Sequence, residues 1–393
     1  MKTYSYLPDV LCSAGRQLYS LRPVFGCIVI GLVEPEQYLP FVLINTGSLS
    51  AFLREKGCMA YDLLLTRTLR RLGILRVLEL RKSRPGILIV NHHRIGGSDE
   101  SGFDRDLYSA TVDELDAQVQ YFKQRAPIVS GEELEDLVSG KTPLKRLYVA
   151  FTFDDGYLDN YTRAFDVFRS SGTTAAFFLV SDYVGTATVP WWDEIAYRLR
   201  NTTKNEIKVE YPVPLKLSLN GHREASILKV LQHYKRPDNV RSEELMSEIR
   251  RETDCELPPA PRQFLDWDEA REMRDAGMMI GSHTRSHAIL GRISPELQKQ
   301  ELEDSKREIE RRLGSEVRSL AYPIGARDCF SDVTEQLAVN AGYRMCFSAY
   351  GGFNDASNLR RSNILRGTVP SNPEKFRAVA VARINPWTAS LAG

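Results

Sequence analysis

Two adjacent carboxylates end an apolar stretch of the sequence. The residues FTFDDG (151–156) place Asp154 and Asp155 directly after a run typical of a buried strand, and Gly156 permits a sharp turn. Such a turn can bring both side chains into one cleft, where two carboxylates are costly unless a cation neutralises one of them. An Asp-Gly turn that merely ends a strand is the other interpretation of this motif.

Imidazole side chains are concentrated at two places in the sequence. His283 and His287 stand four residues apart in GSHTRSH (281–287), and His92 and His93 end another apolar run. Imidazoles at positions i and i+4 share one face of a helical turn and can hold one metal ion. The chain has only 6 histidines, so four of them at the ends of predicted strands are difficult to explain by packing alone.

Asp155, His283 and His287 together make a set of two imidazoles and one carboxylate. This set is typical of a catalytic zinc-type site with open positions for water. Zn²⁺ is the expected ion, and Co²⁺, Ni²⁺ or Fe²⁺ would suit the same ligands. Asp154, uncoordinated beside the metal, would be the base that deprotonates the bound water, because the metal lowers the pKa of that water toward neutrality.

The elements that must position these residues alternate between strands and helices. Strands are predicted from five apolar runs, at residues 86–93, 147–153, 174–180, 278–283 and 319–323. Helices are predicted between them, at residues 111–123, 161–170, 266–276 and 295–313. This α/β alternation predicts a mostly parallel sheet, closed as a barrel or doubly wound, with the chemistry at the carboxyl ends of the strands.

The composition excludes several classes of protein. Because 52 Lys and Arg face 51 Asp and Glu, the net charge of +1 gives no reason to expect a nucleic-acid partner. The 6 scattered cysteines fit buried thiols of a reducing compartment. The apolar run 24–33 is too short to cross a bilayer and is expected to be a buried strand or core helix, so the expected location is the cytoplasm.

Residues 1–84 differ from the rest and are interpreted as an N-terminal extension. Leucines at helical spacing and seven Lys or Arg predict a basic amphipathic helix over residues 66–84. Such a helix either packs on the neighbouring domain or makes peripheral contact with an anionic membrane. Residues 85–393 are interpreted as the catalytic domain, interrupted at about residues 190–262 by an insertion with its own helices.

The FTFDDG and HTRSH stretches, in this order, resemble the first two motifs of the polysaccharide deacetylase (NodB homology) family, carbohydrate esterase family 4. The resemblance covers about residues 86–370. It implies a distorted (β/α) barrel and metal-dependent hydrolysis of an N-acetyl or related acyl group of a sugar. By this resemblance Asp154 is similar to the catalytic base. The metal ligands would be Asp155, His283 and His287.

The third motif of the family is only partly present. Ala321 stands where the family has an Arg, in AYPIG (321–325), and Arg94 is a candidate to orient Asp154 in its place. The backbone N–H of Ile324 matches the position that helps to form the oxyanion hole, and a main-chain donor survives side-chain replacement.

The general acid of the family is also missing from its usual late position, where NILRG (363–367) has Arg366. The stretch LIVNHHRIG (88–96) resembles a strand of the permuted branch typified by poly-N-acetylglucosamine deacetylases. By that resemblance His93 would be the general acid, and His92 would replace a Tyr. A polar strand end that packs on the barrel rim is the other interpretation.

Two aromatic stretches are predicted to contact the substrate. Trp191 and Trp192 begin the insertion, and exposed indoles suit sugar faces, although burial in a core would also explain them. Tyr322 and Pro323 belong to the third motif and are expected to line the groove.

The expected activity is removal of an N-acetyl or related acyl group from an amino sugar or polysaccharide, in cell-envelope or exopolysaccharide assembly. One alternative is a hydrolase of a non-sugar amide, or a deformylase, on the same site. Another is a glycan-binding relative without turnover, which Ala321 and Arg366 favour and the intact pair of carboxylates opposes.

Overall fold

A computed structural model describes residues 27–30, 42–45, 66–67, 70–99, 101–259 and 261–385. The chain divides into two compact units, residues 1–68 and 69–393. In the first unit, strands β1 (Cys27–Ile30) and β2 (Val42–Asn45) pair antiparallel. Strand β1 lies within the apolar run 24–33, for which the sequence predicted either a strand or a helix; the described part of this run is a strand.

The second unit is built on a parallel sheet of six strands. Its strands are short apolar runs whose side chains are buried on both faces, as expected when helices cover a parallel sheet. The strands of this unit are β3 (Gly86–His92), β4 (Arg94–Ile95), β5 (Tyr108–Ala110), β6 (Leu147–Phe153), β7 (Ala176–Leu179), β8 (Glu206–Val209), β9 (Leu215–Ser218), β10 (Met279–Ser282), β11 (Ser319–Ala321) and β12 (Met345–Phe347). The order in the large sheet is β12-β11-β10-β7-β6-β3, and every pair in it is parallel.

Residues 364–367 close this sheet into a ring. Ile364 forms a parallel bridge with Phe347 of β12, and Gly367 forms one with Val90 of β3. The N–H of Gly367 donates to the carbonyl of Ile89 at 3.1 Å, which completes the hydrogen bonding between the two edge strands. The predicted distorted (β/α) barrel is therefore confirmed, and the carboxyl ends of its strands meet at one rim.

Helices surround the sheet. In chain order they are α1 (Ile74–Glu79), α2 (Val112–Lys123), α3 (Gly131–Val138), α4 (Asp166–Ser171), α5 (Trp191–Asn201), α6 (Arg223–Tyr234), α7 (Ser242–Thr253), α8 (Trp267–Asp275), α9 (Pro295–Leu313), α10 (Asp332–Asn340) and α11 (Pro373–Ile384). Thr111 begins α2 with the predicted capping box to Glu114, and the side chain of Asp266 caps α8. The predicted helix at 161–170 is a π-helix over Asn160–Phe165 that continues into α4.

The insertion has a hydrophobic cluster of its own. Helices α5, α6 and α7 enclose it together with the antiparallel hairpin β8–β9. The sequence predicted the helices of this segment but not the hairpin. Because α5 begins at Trp191 and Trp192, the insertion starts beside the rim where the parallel strands end.

Helix α1 packs on helix α11. Arg70 forms an ion pair with Glu374 at 2.6 Å, and Glu79 forms one with Arg377 at 2.7 Å. The compact second unit therefore begins before the predicted boundary at residue 84. These contacts favour the packing alternative for the basic stretch 66–84 over contact with a membrane. Within the described residues, no helix is both long and apolar enough to cross a bilayer.

Candidate active site

The two carboxylates lie where β6 ends, and both are buried. Asp154 is 2 % exposed and Asp155 is 3 % exposed. Asp155 has φ of 72° and Gly156 has φ of 75°, so the backbone turns left-handed directly after the strand. This turn interrupts the strand alternation that would point the two side chains in opposite directions, and both carboxylates reach the rim.

Asp155, His283 and His287 come together at this rim. One possible ligand atom from each residue lies within 4.8 Å of the other two. The Asp155 Oδ1 atom is 3.5 Å from Nε2 of His283 and 3.4 Å from Nε2 of His287. Three possible ligand atoms from two distant parts of the sequence therefore lie close enough together to hold one cation.

The two histidines reach this point from a loop and not from the helical turn that their spacing suggested. Thr284 and His287 both have positive φ, of 66° and 61°. The carboxylate of Glu301 holds the loop, since it accepts hydrogen bonds from the backbone N–H groups of Arg285 at 3.0 Å and Ser286 at 2.8 Å. The convergence of the imidazoles therefore depends on helix α9, which carries Glu301.

These three residues fit a divalent cation. His283 Nδ1 lies 2.8 Å from the carbonyl oxygen of Ala321, so Nδ1 carries the proton and the Nε2 lone pair is free to bind a metal. The buried Asp155 Oδ1 accepts no hydrogen bond from the described residues. Without a cation, burial and the neighbouring charge of Asp154 raise the pKa of Asp155. A metal ion would reverse this effect, because it stabilises the ionised carboxylate.

Arg366 orients Asp154. Its Nη1 donates to Asp154 Oδ1 at 2.8 Å, its Nη2 donates to Oδ2 at 2.9 Å, and the guanidinium is fully buried. Asn91 donates to the same carboxylate at 3.0 Å. Burial alone would raise the pKa of Asp154, but the charge of Arg366 and the hydrogen bonds that it donates lower this pKa well below its usual range. Asp154 is therefore ionised at neutral pH in a fixed orientation.

Arg94 does not contact or orient Asp154. It forms an ion pair with Asp159 at 2.9 Å and lies over the rings of Tyr108 and Tyr157. The expectation that Arg94 replaces the missing third-motif Arg is wrong, and the guanidinium comes instead from Arg366. The sequence offered one signal, a lone Arg beside Gly367 in an otherwise apolar stretch, but it was interpreted as a lost histidine.

His93 directly follows β3, within range of the charge of Asp154. The residue is only partly accessible to solvent; the negative charge of Asp154 favours protonation of its imidazole, and the positive charge of Arg366 opposes it. Burial lowers the pKa of His93 to about 4. His92 points away into the core, where its Nε2 is 2.9 Å from Oε1 of Gln118 and its ring lies on Phe153.

Ile324 has the left-handed backbone expected at a tight turn, with φ of 62°. Its N–H makes no hydrogen bond to any other described residue, so this donor is available for an oxyanion. The side chains before it offer little to a substrate. Tyr322 is buried, donates to the carbonyl of Ser362 at 2.9 Å and stacks on Phe330, and Pro323 is buried as well.

The two tryptophans have different environments. Trp192 is 4 % exposed, donates to the hydroxyl of Tyr157 at 2.8 Å, and its ring lies 4.5 Å from that of His287. It supports the metal-ligand loop and is not the exposed platform that the sequence suggested. Trp191 is partly exposed and stacks on Tyr234, with 3.8 Å between ring centroids. Of the pair, Trp191 therefore presents the surface on which a sugar could lie.

A parallel barrel with three potential cation ligands and an adjacent oriented carboxylate at its rim has the arrangement expected of a hydrolase. The chain belongs to the polysaccharide deacetylase family, whose model matches residues 141–346, slightly more than half of the sequence. A curated relative, YxkH of Bacillus subtilis (strain 168), is placed among the polysaccharide deacetylases by its name. It is 21% identical over 209 residues, which are 53% of this chain and 47% of the relative. The chain thus matches about half the length of that relative.

Two solved structures are similar in fold. The deacetylase PplD of Streptococcus pyogenes, in complex with acetate, is 18% identical with a TM-score of 0.49, and the match covers 77% of this chain and 100% of PplD. IcaB from Ammonifex degensii is 17% identical with a TM-score of 0.46, over 76% of this chain and 97% of IcaB.

Proposed function

We propose that the protein is a metal-dependent hydrolase that removes an N-acetyl or related acyl group from an amino sugar of a glycan. The observation that carries this proposal is the oriented carboxylate of Asp154 directly beside the triad of Asp155, His283 and His287. The arrangement separates two roles, because one carboxylate offers an unpaired oxygen to a cation while the other is held by a guanidinium. Membership in the polysaccharide deacetylase family supports the substrate class.

The triad would hold the metal, with Nε2 of each histidine and Oδ1 of Asp155 as ligand atoms. A divalent cation bound there, most simply Zn²⁺, would lower the pKa of a water molecule and polarise the acyl carbonyl. Asp154 accepts the proton of the attacking water. Arg366 fixes both oxygens of Asp154, so the accepting lone pair is aimed without reorganisation during the reaction.

Two further groups serve the later stages of the reaction. The free N–H of Ile324 donates to the acyl oxygen as negative charge develops on it. His93 donates a proton to the nitrogen of the sugar as it leaves. Because burial lowers the pKa of His93, it is neutral in the resting protein and becomes a donor only after it receives the proton that Asp154 has taken from the attacking water.

The activity is tested by acetate release from N-acetylglucosamine oligomers by the metal-loaded protein. Asp154→Asn should retain the metal content of the parent and lower turnover by about 10²- to 10⁴-fold, the usual contribution of a general base. Turnover by this variant at the parent rate would refute the assignment of Asp154. Release only from formylated or non-sugar amides would favour the alternative substrate classes, and no release from any of them would favour a binding protein.

The role of His93 is tested by comparing two leaving groups. An amide needs a proton on its leaving nitrogen, whereas the phenolate of p-nitrophenyl acetate leaves without one. His93→Gln should therefore lower amide hydrolysis strongly and ester hydrolysis little. Equal losses on both substrates would instead indicate that His93 has a structural role.

A further inference from the structure

Lys235 is a positive charge beside the site that forms no ion pair with a described carboxylate, although the buried carboxylates of Asp104 and Asp155 lie within range of its charge. It follows directly after helix α6 in the insertion, and its side chain is exposed. Its Nζ lies 5.9 Å from the centroid of the Trp191 ring. Within the described residues, no carboxylate comes within ion-pair distance of this ammonium group, although most cations around the rim are paired.

A chain of aromatic contacts connects Lys235 to the metal triad. The ring of Trp191 is 5.2 Å from that of Trp192 in an edge-to-face arrangement, and Trp192 is 4.5 Å from His287. The Lys235 charge also acts on the site itself, since it adds to the effect of burial in lowering the pKa of His93. Lys235 is thus placed beside Trp191, where its charge is felt at His93 and Asp155.

Arg292 fixes the backbone of Lys235 to the loop that contains the oxyanion donor. Its guanidinium donates to the carbonyl oxygens of Lys235 at 3.2 Å and Arg236 at 3.1 Å. The same guanidinium pairs with the carboxylate of Asp328 at 3.0 Å, on the segment that follows Ile324. The end of α6 therefore has a fixed position relative to the oxyanion donor, while the exposed ammonium group of Lys235 has the Trp191 ring beside it and no carboxylate in ion-pair contact among the described residues.

We propose that Lys235 is a specificity residue that binds an anionic oxygen group of the substrate, a carboxylate or phosphate on the acylated sugar or its neighbour. The sugar itself would lie against the exposed part of Trp191. An unpaired ammonium group beside an aromatic surface suits a ligand that combines a sugar ring with a negative charge. This proposal rests on the proposed function, because it names the substrate class of the same site.

Three probes separate the possible sources of charge: N-acetylglucosamine, its 1-phosphate, and N-acetylglucosaminuronic acid. Binding and acetate release are measured for the parent, Lys235→Met and Lys235→Arg at low ionic strength. Lys235→Met should raise Kd and KM for an anionic probe about ten-fold, the loss of one charge-assisted hydrogen bond, and should leave the neutral probe within about two-fold. Lys235→Arg should restore most of the affinity, and added salt should reduce the preference.

Lys229→Met is the matched control, because Lys229 is an exposed lysine of helix α6, which ends directly before Lys235. It should leave the affinity for all three probes unchanged. Preference for the phosphate over the carboxylate, or the reverse, identifies the source of the charge. Equal affinity of the parent for neutral and anionic probes, no binding of any probe, or equal effects of Lys235→Met and Lys229→Met, would overturn the proposal. If the anionic probes bind through Lys235 but no acetate is released, the proposed function fails while this inference stands.

Discussion

Replacement of Arg366 by methionine tests how the base is held. The substitution removes the guanidinium that donates to both oxygens of Asp154 but leaves this carboxylate buried. Breaking one side of a buried ion pair costs about 3–5 kcal/mol. For a unit of this size, such a loss lowers Tm by roughly 4–7 °C.

The same substitution changes the pH dependence of catalysis. The charge of Arg366 is the principal influence that counteracts burial and lowers the pKa of Asp154. In its absence the pKa of Asp154 rises, so the acidic limb of the kcat/KM profile should appear at a higher pH than in the parent. At neutral pH, loss of orientation should lower kcat about 100-fold.

Three measurements test this reasoning: thermal unfolding, kcat/KM from pH 4 to 9, and metal content, which should not change. Arg366→Lys retains a positive charge without the two-pronged geometry, so it should lower kcat with a smaller displacement of the acidic limb. The double variant Arg366→Met with Asp154→Asn should be more stable than Arg366→Met alone, because no unpaired buried charge remains. Parent-like turnover and an unchanged acidic limb in Arg366→Met would refute the reasoning.

Other predictions concern the metal, the core and the N-terminal helix. His283→Asn should lose the metal retained by Asp154→Asn, as measured by elemental analysis after dialysis; equal metal content would argue against the triad. His92 should make the metal-free protein less stable in acid, because burial lowers its pKa to about 4 and the unfolded chain therefore binds a proton first as the pH falls below 6.5. His92→Gln should reduce the stability lost between pH 6.5 and 4 by about 3 kcal/mol in denaturant titrations, and an unchanged pH dependence would contradict this. Glu79→Ala, which removes the partner of Arg377, should lower the free energy of unfolding by about 1–3 kcal/mol, whereas no effect would show that helix α1 does not stabilise the unit.

The three proposed metal ligands could be brought together from the sequence because their signals are local. Asp155 follows an apolar strand directly, and His283 follows another, so each ligand is placed by the few residues before it. A parallel arrangement then brings the strand ends to one rim, even though residues 155 and 283 are far apart in the chain. The spacing of His283 and His287 identified two imidazoles that do lie together, but the helical turn inferred from that spacing is wrong. A loop held by Glu301 brings them together instead.

The partner of the base could not be predicted because it depends on closure of the barrel. Nothing near Arg366 in the sequence indicates that residues 364–367 lie between β12 and β3. Arg94 was a reasonable candidate from its position after β3, but its side chain extends to Asp159. Burial of Trp192 and Tyr322 could not be predicted from the sequence either, because aromatic residues are equally suited to a core and to a sugar-binding surface.

The segment that closes the ring also has a consequence for the order in which the chain becomes competent during synthesis. A ribosome delivers the triad and the base first, and it delivers residue 366 only after all six strands of the sheet have been made. Until residues 364–367 join β12 to β3, Asp154 lacks the guanidinium of Arg366, and the nascent protein should have no hydrolase activity. Activity would then appear only once the ring is closed. Removal of the chain from residue 364 onward should therefore abolish turnover, although all three proposed metal ligands remain in the protein.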